Sequence, residues 1–441
     1  AASFIEPELL SLPEKTLASL PNTLPELKKY AFTLEKLQHK RKHILSAKQE
    51  SFLANTGELR QTAQNAYTTM TNADLKFPDT LSEDGTLEPL SESRYPKFSR
   101  SENRKVRKDA FHKLFSTYLN FHNTFASLYS ASIKGSQFIC KARKYASMLE
   151  AALDANNIPL SVYDTTIETT HLHLPLLHRY MKLKKRLLKL DELHMYDLYV
   201  PVVPKLQKTF PYADGLKLIR AALSPLGENY LQDMFQGISH GWIDPCENKG
   251  KRSGAYSWNV YGVHPFILTS YNEQYEAVST VAHELGHSMH SFYSMQKQEY
   301  SNAKYTIFCA EVASTTNENL LLEYMLKNAS TKEERLYFIN QYLEQIRTTV
   351  YRQVPFAEFE KETHAMVENG KALTADALEK LWLTLTQQYY GSDVIIDDEL
   401  KAEWSRIPHF YRPFYVYQYA TGYAAAMTLS HKLLTQSTKA Q

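Results

Sequence analysis

Ser279-Thr280-Val281-Ala282-His283-Glu284-Leu285-Gly286-His287-Ser288-Met289-His290 is the stretch from which the rest of the chain is read. Two histidines four residues apart stand one turn apart on the same face of a helix, so both imidazoles reach one metal ion. Glu284 directly follows the first histidine and points beside that metal. There it can hold and deprotonate a water, although it cannot easily ligate the ion. A five-residue pattern also arises by chance, so the surroundings decide. Val278, Val281, Leu285, Met289 and Phe292 make an apolar stripe at helical spacing, and His283 and His287 fall on nearly the opposite side. Such a helix packs on a core by one face and lines a cleft with the other.

A catalytic zinc takes three protein ligands and keeps one position open for water, whereas a structural zinc takes four. The best candidate for the missing ligand is Glu311, in Phe308-Cys309-Ala310-Glu311-Val312-Ala313-Ser314-Thr315-Thr316-Asn317-Glu318. The small residues around it let this helix approach another closely. Glu318 follows two turns later on the same face, where it can orient a ligating histidine from behind. The pair His171 and His173 alternates with leucines and reads as structural. His290 reads as a polar neighbour, because a fourth ligand would close the site. Cys140, Cys246 and Cys309 are too far apart to suggest a metal knot or a disulfide framework, which argues for a reducing compartment.

The chain has 441 residues, 43% apolar and 22% charged, enough for a large core or two to three lobes of a soluble globular protein. Its net charge of +2 gives no argument for nucleic acid or a membrane surface as partner. The basic run Lys182 to Lys189 is interleaved with leucines and reads as a solvated helix face. No apolar run approaches a membrane span. The first residues, Ala1 to Glu8, show no basic region followed by an apolar segment, so no signal peptide is read and a cytoplasmic location is expected. The missing initial Met suggests a processed or truncated chain. Nothing in the sequence sets an oligomeric state.

Glycine is scarce, at 14 residues, and helical periodicity runs long, so the chain is expected to be mainly α. Residues 5–70 read as several amphipathic helices. Thr23-Leu24-Pro25-Glu26 predicts a helix start with Thr23 as cap. A polar stretch at 72–104, with turn signals at Asp84-Gly85 and Arg94-Tyr95-Pro96, connects to helices from about Glu102 to Leu153 and from Val162 to Leu190. Tyr199 to Pro204 is expected to be extended. The one β region is Gly250 to Tyr271, with strands at 253–261 and 265–271 on either side of Gly262, just before the metal helix. This organisation divides the chain into an N-terminal helical domain (1–80), a connecting segment (81–103) and a metal-bearing catalytic domain (104–441).

From His409 to Tyr423 the chain packs five tyrosines and one histidine into fifteen residues. Amide hydrolysis creates an oxyanion that needs hydrogen-bond donors, and tyrosine hydroxyls and an imidazole suit that task.

At this point the chain resembles oligoendopeptidase F, a branch of the thimet-oligopeptidase family of zinc peptidases. The resemblance rests on Gly250-Lys251-Arg252-Ser253-Gly254-Ala255-Tyr256, His264-Pro265-Phe266, His283 to His287, Ala310-Glu311-Val312-Ala313-Ser314, and Ile407-Pro408-His409-Phe410-Tyr411 running into Tyr417-Gln418-Tyr419-Ala420-Thr421-Gly422. It extends over nearly the whole chain, through Arg143-Lys144-Tyr145 and Met195-Tyr196-Asp197-Leu198. It implies a largely helical, two-lobed molecule with a deep channel, acting on short peptides and not on folded proteins. It also implies one zinc ion on His283, His287 and Glu311, with Glu284 as general base. The strands before the metal helix resemble the family's substrate edge. His409 and Tyr417, then Tyr411, are the donors the resemblance suggests, although their spacing differs from the thimet branch. Family members are longer, so both ends here read as incomplete.

The expected function is zinc-dependent cleavage inside short oligopeptides. A peptidyl-dipeptidase is the nearest alternative, because the separation of His287 and Glu311 also resembles that of angiotensin-converting enzyme. A catalytically silent peptide-binding protein is the other, and Glu284 argues against it, since a binder needs no base beside its metal.

Overall fold

The computed structural model describes residues 4–203, 206, 208–251 and 254–436. The fold is mainly helical with a few very short strands. It divides into two compact units, each assembled from three separate pieces of chain. One unit comprises Ala1–Leu12, His39–Val202 and Tyr351–Tyr417, and the other Pro13–Gln38, Val203–Val350 and Gln418–Gln441.

The first unit is built on long helices, Arg104–Leu119, His122–Ala142, Leu160–Leu187, Val354–Glu368 and Ala375–Tyr390. Its interior is unusually aromatic, with Phe111, Phe115, Tyr118, Phe125, Tyr129, Tyr163, Tyr389 and Trp404 almost fully buried. Rings of this size bury more area than any aliphatic side chain, so few residues fill the space between helices. Asp197 is buried, and accepts from Arg107 (Nη2, 2.7 Å) and Arg104 (Nη2, 2.9 Å). Removing both arginines would leave this buried carboxyl with no cationic partner among these contacts. The Asp84-Gly85 turn joins the two-residue strands Thr80–Leu81 and Leu87–Glu88, with Gly85 at φ +85°. A second pair, Leu193–His194 with Val394–Ile395, is parallel and joins segments two hundred residues apart.

The second unit carries the metal motif. Its core gathers Ile219, Leu231, Met234, Trp242, Val278, Val281, Leu285, Met289, Leu320 to Leu322 and Phe338. The strands Tyr256–Trp258 and Phe266–Leu268 pair antiparallel around Gly262 (φ +80°), as their composition predicts, but each is only three residues long. Ile243–Asp244, which has no strand signal of its own, pairs parallel to Phe266–Leu268, so that Tyr256–Trp258 is left at the sheet edge.

Two local readings differ from the structure. Thr23 is not a helix cap. It ends the helix Glu14–Thr23, and its hydroxyl donates back to the Ser19 carbonyl at 3.1 Å, a common alternative for threonine. Leu24 takes the cap position, and a 3₁₀ turn over Pro25–Tyr30 precedes the helix Ala31–His39. The expected extended run Tyr199 to Pro204 turns at Tyr199 and bends at Val200, Val202 and Val203, and Pro204 lies outside the described residues, as do Arg252 and Ser253 of the expected β region. No described helix is long and apolar enough to cross a membrane.

Candidate metal centre

The metal helix is Tyr275–Lys297. Val278, Val281, Leu285 and Met289 are buried, and Phe292 packs partly against the same core. Each fully buried apolar side chain of this kind stabilises by about 1.5–3 kcal/mol, so the stripe sets the rotation of the helix. His283 and His287 are thereby turned to the other face, where both are half-buried.

The helix Ile307–Lys327 lies against this one. Gly286 makes the approach possible. A Cβ there would stand 2.6 Å from Ser314 Cα and 2.8 Å from the Ala313 carbonyl oxygen, so any side chain would push the two backbones apart. Asn317 fixes the register by donating from Nδ2 to the Ala282 carbonyl at 3.1 Å. With the helices so placed, Glu311 Oε2 is 3.5 Å from His283 Nε2 and 3.7 Å from His287 Nε2. The three donor atoms lie within 4.8 Å of one another. Ligand atoms of a tetrahedral zinc, each about 2.0–2.1 Å from the ion, stand about 3.3 Å apart. Two nitrogens and one carboxylate oxygen at these separations fit a zinc that keeps an open position. Among the described residues this is the one group that could hold a metal in this way. His171 and His173 do not converge. His171 Nε2 meets Glu358 at 2.8 Å, and His173 Nδ1 donates to the Thr169 carbonyl of its own helix.

Behind these candidate ligands, Glu318 Oε2 is 3.2 Å from His283 Nδ1, and Ser279 donates to the other Glu318 oxygen at 3.3 Å. A proton held on Nδ1 leaves the Nε2 lone pair facing Glu311 and His287. Ser314 Oγ donates to Glu311 Oε2 at 3.0 Å. Burial lowers the basicity of His283, but the Glu318 hydrogen bond and the charges of Glu318, Glu311 and Glu284 outweigh it and push its pKa up to about 9. His287 is drawn down to about 4 by burial and by the neighbouring His283 charge. Replacing Glu318 by Ala is expected to lower zinc affinity by about 10–100-fold with the fold retained. A chelator titration checks this, and parental affinity would mean that His283 is oriented by something else.

Glu284 is buried beside the group, and burial raises its pKa, an effect opposed by the charge of His283 and by the Ser257 backbone N–H that it accepts. A carboxylate shifted upward is a better proton acceptor near neutral pH. The strand that supplies this N–H is tied to the metal helix by the Ser257 and Ser288 hydroxyls (2.8 Å), and beyond it by Asn259 donating to Ser291 (2.8 Å).

His409, Tyr411 and Tyr417 belong to the other compact unit. His409 stacks on Tyr415 (5.7 Å between ring centroids), Tyr411 on Tyr67 (4.3 Å), and Tyr417 packs against Tyr163 (4.9 Å). Burial pushes the Tyr417 hydroxyl up to about 12, so it stays a donor at any ordinary pH. Gly422 and Tyr423, from the end of the same cluster, share the metal-bearing unit. A Cβ on Gly422 would lie 3.6 Å from Glu311 Cβ, and the buried Tyr423 hydroxyl has no hydrogen-bond partner among the described residues. Ser257, Ser279, Asn317 and Ser314 were not legible as site residues. Small polar residues recur throughout the chain, so these four carry no spacing signal of their own.

The profile of Peptidase family M3 matches residues 98–440, and the Oligopeptidase F profile matches 8–77. Oligopeptidase PepF of Bacillus subtilis is 43% identical over 436 residues, covering 99% of this chain and 65% of that protein. Group B oligopeptidase PepB of Streptococcus agalactiae is 39% identical over 432 residues, covering 98% of this chain and 72% of that protein. The crystal structure of oligoendopeptidase-F from Enterococcus faecium superposes with a TM-score of 0.82 at 38% identity, covering 99% of this chain and 73% of that one. The chain thus spans 65% of the first of these relatives, and somewhat more of the other two.

Proposed function

The chain belongs to peptidase family M3, and on that premise we propose that it is a zinc-dependent endopeptidase that cleaves internal bonds of short oligopeptides. The observation that carries this reading is the convergence of His283, His287 and Glu311, with the buried carboxyl of Glu284 beside them. Zinc bound there would supply Lewis-acid polarisation of the scissile carbonyl and lower the pKa of a water at the open position to about 7. The chain's own residues do the rest. Glu284 takes the proton of the attacking water and returns it to the leaving amine. His409 and Tyr417, with Tyr411 next, donate hydrogen bonds to the oxyanion. The peptide adds as a strand to the edge Tyr256–Trp258 through main-chain hydrogen bonds, which read backbone and not side chain. Three unpaired cysteines support a cytoplasmic setting.

The test is turnover of a peptide blocked at both ends, with metal content measured. Cleavage that disappears with chelation and returns with zinc is expected. Failure on an amidated peptide that is cleaved when its carboxylate is free would instead point to a peptidyl-dipeptidase, and binding without turnover to a silent receptor. Cleavage should be broad in sequence but limited in length. A ladder of unstructured peptides digested beside a native globular protein checks this, and efficient cleavage of the native protein at a folded site would refute the length limit.

A further inference from the structure

Five described non-glycine residues have positive φ: Lys144, Asn157, Lys189, Glu273 and Phe414. The first four are exposed and polar. Phe414, at φ +55°, is 3% exposed. A bulky side chain in the left-handed region is strained, and such a conformation persists only where its surroundings over-determine it. Phe414 sits in the segment that carries His409, Tyr411 and Tyr417.

The surroundings that impose it come from one turn of the helix Val354–Glu368. The Phe414 backbone N–H donates to Glu360 Oε1 at 2.9 Å. Glu360 is fully buried, and its second oxygen has no hydrogen-bond partner among the described residues. One turn later, His364 packs its ring 4.5 Å from that of Phe414, and its Nδ1 donates to the Glu360 carbonyl at 2.8 Å. The other side of Phe414 meets Tyr163 at 5.7 Å, and Tyr163 in turn meets Tyr417 at 4.9 Å. Glu360 and His364 therefore hold both the backbone and the ring of Phe414, three residues before Tyr417 and five after His409. A carboxyl buried without a cation is costly unless neutral, and burial raises the Glu360 pKa far above its ordinary value. What the turn uses is an acceptor oxygen, not a charge.

We propose that Glu360 is a positioning residue whose carboxyl clamps Phe414 in its left-handed turn and so sets where His409 and Tyr417 present their hydrogen-bond donors. The proposal rests on the reading of those two residues as oxyanion donors. The experiment compares Glu360→Gln and Glu360→Met in the zinc-loaded protein, by steady-state kinetics on a short peptide and by amide hydrogen exchange at Phe414. Glu360→Gln keeps the acceptor and the neutral shape, so parental kcat and a protected Phe414 amide are expected. Glu360→Met fills the space without an acceptor. There the amide should exchange faster and kcat should fall on the order of 10–100-fold, the scale of a misplacement of about 1 Å, with KM and zinc content unchanged. Parental kcat and a protected amide in Glu360→Met would overturn the clamp. Should Glu360→Met not fold, Glu360→Gln decides alone: loss of amide protection or of kcat there would also overturn it. Tyr417→Phe and His409→Ala are run alongside. Parental kcat in both would sink the oxyanion reading, while exchange at Phe414 still reports on the clamp.

Discussion

Glu284→Gln is expected to keep its zinc and lose nearly all turnover. The amide has the shape of the carboxylate and can still accept the Ser257 N–H, so the local structure has no reason to move. What it cannot do is accept the proton of the attacking water. General-base catalysis of this kind contributes about 10²–10⁴ in rate, and a loss within or beyond that range is the expected result. Metal analysis and kcat on the same preparation decide the matter. Near-normal kcat at full zinc occupancy would remove Glu284 from the chemistry and leave it as a buried acid that supports the strand Tyr256–Trp258.

Glu311→Ala should fail differently, by losing the metal. Glu311 Oε2 lies within 3.7 Å of both histidine nitrogens and is held by Ser314. Removing it leaves two imidazoles, and zinc affinity should drop by more than the roughly 10–100-fold that a partner behind a ligand is worth. Turnover should fall in parallel and recover in part when excess zinc is supplied. His287→Ala should behave alike. If Glu311→Ala binds zinc as tightly as the parent, the third ligand lies elsewhere, and Glu318, already 3.2 Å from His283, is the first residue to test. The two predictions separate cleanly: one variant is loaded and silent, the other is unloaded.

How much of this was legible depended on whether the information was local. The apolar stripe through Val278, Val281, Leu285 and Met289 repeats at helical spacing, so it stated both that the segment is a helix and which way its histidines face. Glu311 could be singled out because a carboxylate is out of place in a run of small and apolar residues, and Glu318 because it follows two turns later on the same face. Thr23 misled because the capping pattern is equally compatible with a threonine that closes the preceding helix and bonds backwards. The strands were overestimated in length because aromatic and β-branched composition marks a region, whereas pairing requires a partner. Ile243–Asp244 is too short to carry a pattern. The parallel pair Leu193–His194 with Val394–Ile395 joins positions that no local periodicity relates.

The sequence by itself therefore determined a mainly helical chain, the helix that offers two imidazoles and a carboxyl to one point, and the second helix that supplies a third donor. These follow from residue spacing converted by helix geometry, which acts over a few turns. Only the tertiary structure decided that Gly286 lets the two helices touch at Ser314, that Asn317 pins their register on the Ala282 carbonyl, and that a buried carboxyl at Glu360 holds Phe414 in a left-handed turn. Those depend on which distant segments meet and at what register, and that is settled by close packing and the pairing of buried polar groups throughout each unit.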